Sequence, residues 1–572
     1  MRVTLAWLGV IAAACGPATR RDNGDGSTKG SEPCPDACSA DQHSIVDCQG
    51  NVVLQCAATD ACDPQSTACT NACAAQQANH RSIGCDYYAT DMDNNNGFGA
   101  QTTDCYAAFV ANTWTAPAHL GVEWNGMTLD PTGFTRFPVG AGQSLTYAAY
   151  DPVAGIPPGG VAIVFLGGST GAPPLCPTTA AVAQPGMDGT GIASSFHLTT
   201  DVPVVAYQIN PYGGGSVAVT GASLLLPTSA WDTNYVAVNV TPMDIAPPSM
   251  NIIAYQDGTT VTLTPNQAVV GGGGIPAGAA GAPLTINLAK GQQAQITQAA
   301  ELTGSVVTSN TPVGLMAGQP CMRMPVGTAY CDHGEQMVPP VKAMGSEYVG
   351  VMYRPRVASE TQTFWRLIGA VDGTNLTYSS NVGGPPTLNK GQSVNFETGT
   401  PFVVTSQDAD HPFMLFTYMT SSTFVSAGYG DPDFVYDVPP AQFLSQYVFF
   451  ADPTYPETNL VIIRAAGTDG QFHDVTLDCA GVLTGWQPIG NYQWTRADLM
   501  TGNFQQVGNC STGQHEIHSD APFGLQVWGW GTPLTGCLSG PPCPSGQAFT
   551  ENVSYGYPGG MNVAPINTVV IE

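Results

Sequence analysis

Asn251 to Pro265 reads NIIAYQDGTTVTLTP, two β-rich arms either side of Asp257-Gly258. Val, Ile and Thr suit a pleated, half-buried surface, and Asp-Gly between two such arms is a strong hairpin signal because both central residues of the tight turn need positive φ. The same design recurs as FWRLIGAVDGTNLTY (364–378, around Asp372-Gly373) and LVIIRAAGTDGQFHDVTLD (460–478, around Asp469-Gly470). LGVEWNGMTLD (120–130) offers a fourth version around Asn125-Gly126. All four are expected to be hairpins.

Working outward, two further blocks repeat with the same order. Four strand-like runs follow a proline: TTDVPVVAYQ (Pro203), TSNTPVGLMAG (Pro312), SQDADHPFMLFTY (Pro412) and HSDAPFGLQVWG (Pro522). A proline without an amide donor is tolerated at the first position of a strand, which is where each is expected. Three blocks, LLLPTSAWDTNYVAV (224–238), MVPPVKAMGSEYVGV (337–351) and YDVPPAQFLSQYVFF (436–450), place a proline turn before a strand opened by Tyr235, Tyr348 or Tyr447. NLAKGQQAQITQ (287–298) and NKGQSVNFET (389–398) add strands to two of the units. No apolar pattern with a 3.6-residue period persists for three turns, so the chain is all-β in units of about 100 residues. Sheet edges can be hidden in tandem antiparallel β-sandwiches or in a β-propeller-like ring; a 100-residue unit is long for a four-stranded blade and favours sandwiches.

Composition agrees. The 572 residues give a prior of three or four domains. Gly 67 and Pro 46, with 43% hydrophobic residues, describe many short strands and turns, not disorder. Lys and Arg number 15 against 42 Asp and Glu, a formal charge of -27, which excludes a nucleic-acid partner because phosphate neutralisation needs clustered cations.

At the N-terminus one cation, Arg2, precedes the apolar run 3–14 and then Cys15. The run is too short to span a bilayer and reads as a secretory signal over 1–15. Ala12-Ala13-Ala14-Cys15 resembles a bacterial lipobox, making Cys15 the expected lipidation site and membrane anchor; Gly16 after it favours the outer membrane. Residues 16–33 are polar and turn-rich, a flexible tether reaching roughly 20 to 25 Å. Without Cys15 the 17 cysteines become an even set, and export makes disulfides the default. Seven fall between Cys34 and Cys73, so 34–81 is expected to be a disulfide knot, with Cys85 and Cys105 completing or adjoining it. Cys321/Cys331, Cys479/Cys510 and Cys537/Cys543 are proposed as bridges from proximity alone. Irregular spacing argues against zinc.

SIGCDYYATDMD (82–93), CYAAFVANTW (105–114), the proline-led strands, the DGT turns, CDHGEQMVPP (331–340) and SYGYPGGM (554–561) are together similar to bacterial surface lipoproteins containing the IgG Fc-binding protein N-terminal-type domain. The resemblance runs from about Ser82 to Pro565, so 82–572 is taken as one β-repeat region. It implies an extracellular, non-catalytic binding or adhesion module; it does not imply that the ligand is an antibody, and it carries over no contact residues.

Candidate chemistry is sparse. Gly167-Gly168-Ser169-Thr170-Gly171 matches a nucleophile elbow in letters, but Pro173-Pro174 cannot continue into the helix the elbow needs. Asp332, His333 and Glu335 are expected to cap the Val338-Pro339-Pro340 turn from a Cys321–Cys331 loop. Asp91, Asp93 and Asn95 stand at calcium-loop spacing; a non-glycine sixth residue and Thr102 at the twelfth position exclude an EF-hand and leave an irregular calcium site as the candidate metal centre. Asp431, Asp433 and Asp437 attract the same reading. Calcium is thus the one cofactor considered, and otherwise none is expected. Trp486, Trp494, Trp528 and Trp530 are either a sugar platform or core, with core favoured.

The sequence therefore points to a lipid-anchored cell-surface protein that binds an extracellular protein or glycan without catalysis. The competing readings are an exported hydrolase of polysaccharides or esters and a structural envelope protein.

Overall fold

The computed structural model describes residues 35–39, 41–94, 104–168, 176–214, 219–425, 428–536 and 549–572. Cys15, the tether 16–33, Asn95, Ser169, Cys537 and Cys543 lie outside the described residues. Among those described, strand dominates and the longest helix, Ala72–Gln77, has six residues, capped by the Asn71 side chain on the Ala74 amide.

Four units share one seven-strand topology, most regular in the second. Its strands are Asp232–Val236, Ser249–Ala254, Thr259–Thr264, Leu284–Leu288, Gln292–Thr297, the long Val306–Met322 and Asp332–Met337. The long sixth strand belongs to two half-sheets. Its first part, Val306 to Ser309, pairs with the first and third strands; its second part, from Val313, pairs with the second and seventh. Unit 1 repeats this around Phe196–Ile209, unit 4 around Gly513–Trp530, and unit 3 around Phe402–Thr405 and Phe413–Tyr418. Each unit is an antiparallel sandwich of two half-sheets joined by one bent strand.

The proline repeat marks that bend and not a strand start. Residues 201–203, 310–312 and 520–522 pair with nothing in the ladders, and pairing resumes one residue after each proline, at Val204, Val313 and Phe523; in unit 3 the gap is longer and pairing resumes at Phe413. A missing amide costs least where the strand is changing partners, which is why proline is accepted mid-strand. Beyond it the register is the same in every unit: the fourth residue after proline faces the seventh strand, as Tyr207 to Leu224, Met316 to Met337, Phe416 to Tyr436 and Gln526 to Pro558.

A tyrosine on the first strand latches each bend. Tyr87, Tyr235, Tyr348 and Tyr447 donate their hydroxyls to the carbonyls of Val204, Val313, Phe413 and Phe523. In units 2 to 4 the same hydroxyl accepts the amide three residues upstream, from Asp232, Gly345 and Leu444, at 2.9 to 3.0 Å. All four tyrosines are buried.

The Asp-Gly turns correct the hairpin expectation. Ser249–Ala254 and Thr259–Thr264 flank Asp257-Gly258, but they pair with different parts of the bent strand and not with each other; Asp372-Gly373 and Asp469-Gly470 likewise link the two half-sheets. Asp257 Oδ1 accepts the Lys290 amide and Asp372 Oδ1 the Lys390 amide, both at 2.9 Å, so the aspartate ties this link to the Lys-Gly turn. Asn125-Gly126 is a true two-residue hairpin, with φ of 49° and 74° and Trp124 facing Met127.

The four sandwiches also close on themselves. Their seventh strands, Ala222–Leu224, Asp332–Met337, Phe434–Tyr436 and Ser554–Pro558, touch in cyclic order, the fourth returning to the first. Closure is reinforced outside the axis: Tyr207 Oη donates to Val448 O at 3.0 Å and Gly559 O at 3.2 Å, and Phe109 packs on Phe450 at 4.7 Å between centroids. One hydrophobic core runs through the ring.

The N-terminal segment folds as a three-stranded sheet, a short hairpin and the capped helix, stapled by Cys38–Cys62 and Cys56–Cys69. Cys73–Cys85 ties it to the first strand of unit 1. Cys105 does not join this knot: it pairs with Cys176, 71 residues on. Cys321 bonds Cys331 and Cys479 bonds Cys510.

Candidate functional site

The ring axis gathers the acidic residues noted in CDHGEQM and GDPDFVYD. Asp332 and Asp431 occupy equivalent positions in the seventh-strand segments of units 2 and 3, while Thr220 and Ser554 stand one position further along in units 1 and 4. They are bonded together across all four units. Asp332 Oδ1 accepts the Thr220 amide at 3.1 Å and Oδ2 the Ser554 amide at 2.9 Å; Thr220 Oγ1 donates to Ser554 O at 2.7 Å, and Ser554 Oγ accepts the Asp431 amide at 2.8 Å. Asp332, His333, Glu335 and Asp433 each have 0% exposure. The expectation that Asp332, His333 and Glu335 cap the Val338-Pro339-Pro340 turn from a loop is therefore corrected: they lie on the strand Asp332–Met337 at the centre of the ring.

Burial pushes Asp332 far above the usual carboxylate range, and the neighbouring charges of Asp431 and Asp433 push it further. Burial likewise raises Asp431 and Asp433, against the Ser422 amide and Arg356 charge for the first and the Phe434 and Gly556 amides for the second. Asp437, held between Thr417 Oγ1 and Gln526 Nε2 at 2.8 and 2.7 Å, is pushed by burial up to about 8. Arg356 is sealed beside this cluster, its guanidinium forked onto Glu360 at 2.7 to 3.2 Å and bonded to the Thr420 and Tyr429 carbonyls. These groups are sealed from solvent, and the aspartates among them accept backbone amides where the units meet: Asp332 from Thr220 and Ser554, Asp431 from Ser422 and Asp433 from Phe434.

Asp91 and Asp93 are also buried and spend oxygens on protein donors. Asp91 Oδ1 accepts from Asn210 Nδ2 at 3.0 Å, and Asp93 Oδ2 accepts the Gly189 amide at 2.8 Å. Among the described residues, one group of three potential ligands converges within 4.8 Å: Asp478, Cys479 and His515. Its sulfur is committed to the bond with Cys510, and both ring nitrogens of His515 are bonded, to Asp478 and to Ser511 O. Trp528 and Trp530 are core, at 0% exposure.

The exposed candidate lies where units 3 and 4 meet. Two contiguous openings of about 380 and 370 Å³ share Ser379 and Ser380. One lip is the loop from Tyr378 to Gly384 with Pro401; the other is 487–490 with Trp494. The lips are held in place. Tyr492 donates its hydroxyl to the Glu347 carboxylate, and Arg496 donates to Met352 O at 2.6 and 2.9 Å. Trp494 is half-buried with the Arg496 guanidinium over its ring, 4.9 Å from the centroid. The tryptophan was legible in the sequence; the facing SSNVGG loop was not, because only the ring brings it there.

The sequence model of a family described as IgGFc binding protein matches residues 221–529, more than half of the chain. The chain belongs to the IgGFc-binding protein family. The match starts at the seventh strand of unit 1 and ends in the bent strand of unit 4. Unit 1 lies before it, yet carries the family region's topology and its tyrosine latch. The human (Homo sapiens) protein named IgGFc-binding protein is 24% identical over 314 residues, which are 54% of this chain and 5% of that protein. The chain thus matches a small part of that relative. No solved structure matches it.

Proposed function

We propose that this IgGFc-binding family member is a non-catalytic binding protein of the bacterial cell surface, anchored in the outer membrane by lipid on Cys15, whose ring presents its outer loops to an extracellular protein or glycan. The observation that carries this reading is the family match running through three of the four interlocked units. The geometry supports it: the clustered acid groups are sealed in the axis, while loops stand on a scaffold fixed by disulfides, bent strands and a common core. The name of the human relative makes immunoglobulin Fc the first ligand to try.

The test is binding of the oxidised, unlipidated chain to immobilised Fc, mucin and polysaccharide, with calcium and with chelator. Saturable binding without turnover is expected. Hydrolysis of an ester or polysaccharide in place of binding contradicts the proposal. Anchoring is read separately from the mass of the mature N-terminal peptide, which should carry acyl chains on Cys15 and lose them in Cys15→Ala.

A further inference from the structure

We infer that the groove between units 3 and 4 is a subsite for a neutral glycan. The inference rests on the binding reading above and names one site and one ligand class for it. Four observations lead there. The two openings together form a shallow trough on the surface and not a tunnel, and each is of a size that accommodates a small ligand. No charged side chain lines either, although the chain as a whole is strongly acidic. That selects against phosphates, sulfates and basic peptides, which call for charged partners.

What lines the trough is an aromatic wall, Trp494, with the Gln487 amide beside it on the same lip and the hydroxyls and amide of Ser379, Ser380 and Asn381 on the other. A pyranose ring has an apolar face of C–H bonds and an equator of hydroxyls. The first suits an indole face, and the second suits side chains that both donate and accept. Among the described residues the Trp494 indole N–H has no acceptor, so it remains available. Asn381 and Gln487 are exposed on opposite lips, placed to grip a chain lying along the trough.

Preorganisation is the fourth observation. Arg496 lies over one face of the Trp494 ring, Tyr378 Oη is fixed on Pro385 O at 2.9 Å, and a Cβ at Gly490 would lie only 3.0 Å from Val403 Cγ2, so the Gly490 lip packs closely on unit 3. Little ordering is then left to oppose binding.

The experiment titrates the full oxidised chain with maltohexaose, cellohexaose and chitin hexaose by calorimetry, with a heparin hexasaccharide as the charged comparison. Saturable binding of at least one neutral chain, and none of the charged one, is expected. Trp494→Leu should weaken it about tenfold, the loss of one aromatic stacking contact. Asn381→Arg, on an exposed loop where folding is not at risk, should block the trough, and Trp494→Tyr should restore most of the affinity. The inference is overturned if no neutral oligosaccharide binds, or if Asn381→Arg and Trp494→Leu both bind with unchanged affinity. A chain that binds Fc or mucin while ignoring every oligosaccharide would leave the binding function standing and remove this subsite. A chain that binds nothing in either panel would remove both.

Discussion

Tyr235→Phe removes one oxygen from a side chain with 1% exposure and changes no packing. That oxygen donates to Val313 O at 2.7 Å and accepts the Asp232 amide at 3.0 Å, at the point where the bent strand of unit 2 leaves one half-sheet for the other. Without the hydroxyl the buried Val313 carbonyl loses this donor and the part-buried Asp232 amide loses its acceptor. A buried group left without its partner costs about 1–3 kcal/mol, and the Val313 carbonyl sits within ladders that can absorb part of the loss, so about 1–3 kcal/mol is expected for the pair together. Urea unfolding of the oxidised protein measures it, with Tyr255→Phe as the comparison. The Tyr255 hydroxyl makes no hydrogen bond among the described residues, and its loss should cost less than about 0.5 kcal/mol. Equal stabilities for the two variants would refute the latch as a stabilising device and leave the fourfold recurrence of the tyrosine without a physical account.

Three further outcomes follow from buried charge. Glu360→Gln strands the Arg356 guanidinium at 0% side-chain exposure and should cost about 3–5 kcal/mol in the same assay, whereas Arg356→Met combined with Glu360→Gln should recover a large part of that loss. Burial alone would lower His197, but hydrogen bonds from its ring to Asp86 and Glu123 at 3.2 and 3.0 Å more than offset this and hold it above its ordinary value. Its stabilisation is therefore fully present below the unfolded histidine pKa and is lost as pH rises through the folded one; the melting temperature should exceed that of His197→Gln by more at pH 5 than at pH 9. Asp437 keeps its proton in the fold up to about 8 because burial disfavours the charge, so its contribution falls as pH rises from the unfolded carboxylate value toward 8. Asp437→Asn, which retains the shape and an acceptor, should flatten the decline in melting temperature between pH 5 and pH 8.

Particular residues show what the sequence could and could not reveal. Pro203, Pro312, Pro412 and Pro522 were visible as a repeat, as were Tyr235, Tyr348 and Tyr447, and together they give the β class and the unit length. Their meaning was hidden because it is a relation between them: the tyrosine hydroxyl bonds the residue after the proline, some 65 to 78 positions later in units 2 to 4. Asp257-Gly258 and Asn125-Gly126 carry the same turn chemistry, and nothing local says that one closes a hairpin and the other crosses between half-sheets. Asp332 read as part of a turn-capping loop and Asp433 as part of an irregular calcium site, since composition gives no sign that four seventh strands meet and shut them in. Trp494 was read with Trp528 and Trp530 as one aromatic group. Burial separates them, two going to the core and one to a groove whose other lip is about a hundred residues away.

Ring closure underlies both the sealed axis and the fixed lips of the groove, and small-angle X-ray scattering of the oxidised, unlipidated chain measures it directly. A closed ring of this length predicts a radius of gyration near 25 Å, with about 25–28 Å expected once the tether is included. A value well above that range, as four sandwiches strung in an open array would give, would contradict the account.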